Sequence, residues 1–213
     1  MSTAAPQPAT ELALTIPAPS RMSFPQVQMQ LFAIEFVFDL AEVMLLADLT
    51  DELQRGDAVR ISRLQYGSPL QIVIDLTEIS ELLKSVGSVG FSVIAYKLLT
   101  KGPEAWKTLE EALALRAERK AARRAARLEK SESETSKEPA APDAQSDELL
   151  EGSIAAFLAP VVDDVMTVSE QNGLGLDRNQ VLAAGIKYIE IHEYESRSAG
   201  EMLKKTTVKV EFK

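Results

Sequence analysis

A β-hairpin set between long helical patterns constrains the fold of this sequence more than any other feature. Residues 58–66 (AVRISRLQY) and 70–76 (LQIVIDL) are rich in β-branched and apolar side chains, and residues 67–69 (GSP) between them are typical of a tight turn. Apolar residues alternate in the second segment, which predicts one buried face. In the first segment the large apolar residues are odd-numbered up to Ile61 and even-numbered from Leu64 on. This shift in the alternation predicts a β-bulge near Ser62.

Long apolar helices are predicted on both sides of this hairpin. A capping-box pattern, Ser23 with Gln26, begins a helix predicted over residues 23–55, and a second apolar helix is predicted over residues 77–99. Both contain charged residues, so we interpret them as buried helices and not as membrane spans. Residues 11–16 alternate as a short strand. We therefore predict an α+β fold in which long N-terminal helices pack on a small antiparallel sheet.

The composition changes along the chain and predicts its domain organisation. Residues 131–146 are polar, charged and contain proline, which is typical of a disordered linker, and residues 1–9 are predicted to be disordered as well. Residues 10–102 would then form an N-terminal α+β unit, followed by a protruding basic helix over residues 103–130. Residues 147–213 would form a small, mostly helical C-terminal unit that ends in a strand.

The C-terminal unit contains several local signals. Pro160 is expected to kink or split its first helix. Asp177 with Gln180 forms a second capping box, and residues 186–194 (IKYIEIHEY) fit a helix or a strand equally well. Residues 206–212 alternate and predict a terminal strand, although the sequence does not identify its pairing partner.

The residue inventory excludes several kinds of chemistry. The chain has no cysteine, which excludes a disulfide framework, a thiolate zinc site and a cysteine nucleophile, and which fits a reducing cytoplasm. Its one histidine, His192, would have to bind a metal together with carboxylates. The net charge of −9 argues against nucleic acid binding by the whole surface. We predict no catalytic, cofactor or metal site.

Two candidate acid–base groups have ordinary structural interpretations. Glu35, Asp39 and Glu42 share one face of the first long helix and could bind a metal or transfer protons, but no histidine lies beside them at helical spacing. A solvated acidic stripe is the favoured interpretation. His192 stands between glutamates and could be a ligand, a base or a pH sensor, and its charged neighbours favour an exposed residue.

The most distinctive feature is a row of cations on the predicted basic helix. At helical spacing they occupy roughly 140° of one face. Such a row could contact anionic lipid, an acidic protein or nucleic acid, or it could form a solvated spacer in which acids begin the helix and cations end it. No aromatic residue interleaves with the cations, which argues against nucleic acid. This basic stripe consists of Arg116, Arg119, Lys120, Arg123, Arg124, Arg127 and Lys130.

The segment ISRLQYGSPLQIVIDL, followed by the apolar helix and the basic helix through Arg127, resembles a loosely defined group of uncharacterised bacterial proteins. In that group, a strand ending in Tyr-x-Ser/Asn-Pro-Leu turns into an apolar strand and then into an apolar and a charged helix. The resemblance implies an α+β unit and, in some members, proximity to a membrane. It implies no activity and no functional residues. Lys84 and Lys97 in the apolar helix depart from a membrane-inserted pattern.

These features favour a non-enzymatic protein-interaction or scaffold module in the cytoplasm. The alternative is a peripheral membrane protein whose residues 116–130 contact anionic lipid at the inner face of the membrane. A third hypothesis is an enzyme of unrecognised type that uses Glu35, Asp39 or His192. The apolar surface of residues 79–99 also predicts self-association, at least to a dimer.

Overall fold

The chain forms an α+β fold with helices packed on a small antiparallel sheet, as predicted. Residues 1–9, predicted to be disordered, and residues 77–87 of the predicted second apolar helix lie outside the described residues. The predicted linker is too long at both ends, because residues 131–132 and 144–146 are helical; its other residues lie outside the described ones. The computed structural model describes residues 11–17, 22–47, 60–65, 67, 69–75, 88–132, 144–206 and 208–212.

The sheet has four strands in the order β2-β3-β1-β4, and every neighbouring pair is antiparallel. The hairpin of β2 and β3 confirms the prediction, and a shift in register between Ile61 and Arg63 confirms the bulge. The terminal strand is also confirmed, and its partner is β1. The strands are β1 (Glu11–Ile16), β2 (Arg60–Gln65), β3 (Leu70–Asp75) and β4 (Lys209–Phe212).

One face of the sheet supports the helices. Leu14 of β1 stands opposite Ile72 of β3, and both side chains are fully buried. Their neighbours two residues away point the same way because side chains alternate along a strand. On the edge strand β2, Ile61 and Leu64 remain 45% and 38% exposed. The apolar face of the sheet is therefore covered at β1 and β3 and open at β2.

Helix α1 (Phe24–Leu45) is the central helix of the core. The Ser23 backbone N–H donates to Gln26 Oε1 at 2.8 Å, which confirms the predicted start. The predicted extension to Arg55 is wrong, because Leu46 leaves helical geometry with φ −106° and ψ 19°. The apolar pattern that suggested a longer helix continues into the turn, where Leu46 is still buried.

Five further helices complete the described fold. Helix α1 packs against α2, α5 and α6, and α3 packs against α4 and α6. Residues on both sides of the predicted linker thus contribute to one sheet and one core, which the sequence did not predict. These helices are α2 (Ser88–Leu99), α3 (Pro103–Glu132), α4 (Ala144–Asn172), α5 (Arg178–Ile191) and α6 (Glu193–Leu203).

Helix α2 is the described part of the second apolar helix. Phe91, Ile94 and Leu98 have no exposed surface, and α2 packs on α1 and α4. The apolar side of α2 is therefore covered by the chain itself, so these residues do not supply the surface on which self-association was predicted.

Helix α4 contains Pro160 but is not split by it. Its end is a Schellman motif, in which Gly173 has φ 66° and the Leu174 N–H donates to the Ser169 carbonyl. Among the described residues, the segment Glu151–Asn172 is long and apolar enough to cross a bilayer, and 44% of its most apolar window is buried in the fold. A helix in the core of a soluble protein can have the same length and the same apolar composition.

Helices α5 and α6 resolve the ambiguous segment 186–194, which is helical with a turn at His192. Asp177 caps α5 as predicted, because its Oδ1 accepts from the N–H groups of Asn179 and Gln180 at 2.9 and 3.1 Å. The turn between α5 and α6 brings acidic residues to the side of α3.

Candidate functional site

Helix α3 has a buried base and an exposed continuation. Trp106, Leu109 and Leu113 have no exposed surface, whereas the described side chains between Glu118 and Ala125 are all exposed. We call residues 118–125 the exposed segment of α3. It carries four basic residues and one acidic residue, a local charge of +3 in a chain of net charge −9. This segment contains part of the predicted basic stripe.

Ion pairs attach the start of the basic stripe to the turn between α5 and α6. Arg116 Nη1 lies 2.9 Å from Glu190 Oε1, and both side chains are partly buried. One turn further on, Lys120 Nζ pairs with Glu193. Partly buried pairs between elements distant in sequence hold two helices in one arrangement more firmly than fully exposed pairs do. The two attachments therefore fix the direction in which α3 leaves the fold.

Of the stripe residues whose side chains are described, Arg116 and Lys120 pair with residues of the fold. Arg116 lies near the middle of the roughly 140° arc, Lys120 lies about 30° from the middle, and Arg119 and Arg124 lie at the two edges. Arg116 and Lys120 point toward the α5–α6 turn, because that is where their partners are. The edge residues are exposed, and the described contacts of Arg119 and Arg124 include no ion pair. The side chains of Arg123, Arg127 and Lys130 lie outside what the structure describes.

Two exposed apolar side chains lie at the same turn. Ile191 is 58% exposed and Tyr194 is 76% exposed, and they flank the residue that pairs with Lys120. Tyrosine and arginine are the residue types that carry most binding energy in protein interfaces. We call the exposed segment of α3 together with the α5–α6 turn the α3 corner; the segment contributes exposed cations and the turn contributes the exposed Tyr194.

The predicted acidic stripe on α1 is wrong in one position. Glu35 is exposed and Glu42 is half-buried, but Asp39 is only 3% exposed. The Tyr188 hydroxyl donates to Asp39 Oδ2 at 3.4 Å. Asp39 is buried because α5 packs on α1, a contact between segments far apart in sequence. No group of metal-ligating side chains occurs among the described residues.

His192 does not occupy the exposed position that was predicted. It is half-buried, and its ring lies 4.6 Å from that of Tyr188. Its Nε2 is buried and has no hydrogen-bond partner among the described residues. The reason is its place at the end of α5, where the chain turns back and the imidazole covers the preceding tyrosine.

The sequence identified the cations of the α3 corner but not their partners. Arg116 and Lys120 are four residues apart on α3 and lie on one helical face, whereas Glu190 and Glu193 are three residues apart and belong to α5 and α6 on either side of the turn at His192. Such spacings are common in any charged sequence and do not identify which helices meet. Tyr194 carried no signal beyond its residue type.

No protein-family model, curated protein or solved structure was found to match this chain. The geometry of the described residues is therefore the ground for a functional proposal.

Proposed function

We propose that this protein is a non-enzymatic protein-interaction module that binds an acidic segment of a partner protein in the α3 corner. The observation that supports this most is the pair of ion bridges, Arg116 with Glu190 and Lys120 with Glu193. They hold the exposed segment of α3 in place and leave Arg119 and Arg124 available for a partner.

The exposed segment of α3 is suited to bind without reordering. Alanine, arginine and lysine are strong helix formers, so this part of the helix is favoured by propensity even where it is solvated. Its base is fixed by buried side chains, of which Trp106 is the largest. A partner that binds a preformed helix loses less conformational freedom on association than one that must order it.

The pairing of Arg116 and Lys120 with the fold favours a protein partner over a lipid bilayer. A bilayer surface is flat on the scale of one helix, so a membrane-binding stripe has to point away from the rest of the fold. Here Arg116 and Lys120 point toward the fold. An acidic loop or helix can adapt its shape to the exposed cations of α3 beside the α5–α6 turn, which a flat surface cannot do equally well. The lack of cysteine is consistent with a cytoplasmic setting.

Charge reversal in the α3 corner tests the proposal. We expect Arg119→Glu with Arg124→Glu to weaken binding of a fluorescent ten-residue glutamate peptide by about tenfold at low salt, because two attractive charges become repulsive. The measurement is fluorescence anisotropy as a function of protein concentration. Lys107→Glu with Lys209→Glu is the matched control, since both lysines are exposed outside the corner and the change in net charge is the same.

Equal weakening in both double variants would contradict a specific site, because it would reflect overall charge alone. Sedimentation with vesicles of phosphatidylserine and phosphatidylcholine separates the two partner classes. Vesicle binding that depends on Arg119 and Arg124, without peptide binding, would replace the proposal by the peripheral membrane alternative.

A further inference from the structure

A groove of about 580 Å³ lies between the start of α3 and the middle of α4. Its walls are mostly small or apolar, and one charged side chain lines it among the residues that the structure describes. That side chain is Lys101, in the turn between α2 and α3. Ala105 and Thr108 line the α3 side of the groove, and the α4 side is formed by Gly152, Ser153, Ala156, Phe157 and Pro160.

The amine of Lys101 is held in a defined place at the groove. Its Nζ donates to the Phe157 carbonyl and lies 4.3 Å from the centre of the Phe157 ring. Pro160 has no N–H, so the Ala156 carbonyl beside the groove lacks its usual donor within the helix. One N–H bond of Lys101 points at the Phe157 carbonyl. The other N–H bonds, or the lone pair of the neutral amine, therefore point away from that carbonyl.

Burial lowers the pKa of Lys101 to about 8, while the nearby Asp164 carboxylate raises it by a smaller amount. At pH 7.5 an amine with a pKa near 8 is about one quarter unprotonated, compared with roughly one part in a thousand for an ordinary lysine. The groove therefore contains a large fraction of free amine near neutral pH.

We propose that this groove is a covalent site for short aliphatic aldehydes, with Lys101 as the nucleophile that forms an imine. The amine nitrogen forms a bond to the carbonyl carbon, and its two N–H hydrogens are transferred, in net terms, to the carbonyl oxygen, which leaves as water. The C=O bond is replaced by a C=N bond, and no oxidant or reductant is required. The aliphatic chain packs against Ala156, Phe157 and Pro160.

The surroundings of Lys101 favour a neutral aldehyde over an anionic ligand. The Phe157 carbonyl, the face of its ring and the Asp164 carboxylate all present negative potential to the site. They would repel a carboxylate or phosphate. A protonated imine keeps a positive charge on the same nitrogen, so the Phe157 ring and Asp164 stabilise the product.

Competitive labelling of the intact chain tests this site. The protein is treated with hexanal and sodium cyanoborohydride, which reduces an imine to a stable alkylamine, and the modified lysines are quantified by peptide mass spectrometry. We expect Lys101 to be labelled about tenfold faster than Lys107, a lysine of α3 whose side chain is 51% exposed. The larger free-amine fraction outweighs the lower nucleophilicity of a less basic amine. The selectivity for Lys101 over Lys107 should be largest below about pH 8, where the lowered pKa of Lys101 increases its free-amine fraction most.

Two further measurements distinguish binding of the aldehyde in the groove from a generally high reactivity of Lys101. Hexanal should favour Lys101 over Lys107 about threefold more than acetaldehyde does, because its longer chain buries more apolar surface. Ala156→Leu fills the groove at an exposed helical position and should slow labelling at Lys101 about fivefold without changing Lys107. Equal labelling of the two lysines, or selectivity unaffected by chain length and by Ala156→Leu, would overturn the proposal.

Discussion

Trp106→Ala is expected to lower the free energy of unfolding by about 4 kcal/mol. Trp106 has no exposed surface, and its ring packs edge-on against that of Phe157 with 4.9 Å between centroids. It also lies where α3 meets α6, since its backbone carbonyl is close to Gly200. Removing the indole leaves a cavity at the junction of three helices, which cannot collapse without moving α3.

Urea denaturation followed by far-ultraviolet circular dichroism measures this change, since the variant contains no other tryptophan for fluorescence. Two variants on the same helix provide controls. Trp106→Phe keeps a ring against Phe157 and removes an indole N–H that has no partner among the described residues, so we expect a loss of only about 1 kcal/mol. Leu115→Ala, at a 53% exposed position, should change stability by less than about 0.5 kcal/mol. Similar losses of unfolding free energy in Trp106→Ala, Trp106→Phe and Leu115→Ala would show that burial of Trp106 does not contribute specifically to stability.

Gly200→Leu is expected to destabilise the fold by about 3 kcal/mol for the opposite reason, overpacking. A Cβ at Gly200 would lie 3.1 Å from Glu110 Cβ and 3.3 Å from the Trp106 carbonyl oxygen. The second neighbour is backbone and cannot rotate away. A leucine side chain must therefore push α6 from α3, which also strains the Lys204–Glu110 ion pair, 2.9 Å long.

The matched control is Gly152→Leu, the same substitution at a helical glycine whose Cβ would meet nothing within 4 Å. We expect it to stabilise the fold by about 0.5 kcal/mol, because leucine has the higher helix propensity. The same denaturation series compares the two. If Gly200→Leu were as stable as Gly152→Leu, the close approach of α6 to α3 would be contradicted, and with it the geometry of the α3 corner.

Features that depend on neighbours within a few residues were predictable. The hairpin, the bulge near Ser62, the capping box at Ser23 and the N-cap at Asp177 follow from side chains that act on the adjacent backbone. The end of α1 was not predictable in the same way, since the apolar pattern continues into the turn at Leu46. For the candidate site, residue types and helical spacing were enough to identify the basic stripe, but they contained no information on which way it faces.

The sequence by itself determined the α+β class, the positions of most elements and the presence of a cationic helix, because propensity, capping and hydrophobic period act locally. Only the tertiary structure decided that β4 pairs with β1, that α5 buries Asp39, and that Arg116 and Lys120 pair with the α5–α6 turn. Each of these joins segments far apart in the chain. Many pairings of similar local quality are available to such segments, and the one that occurs is set by the packing of the whole core.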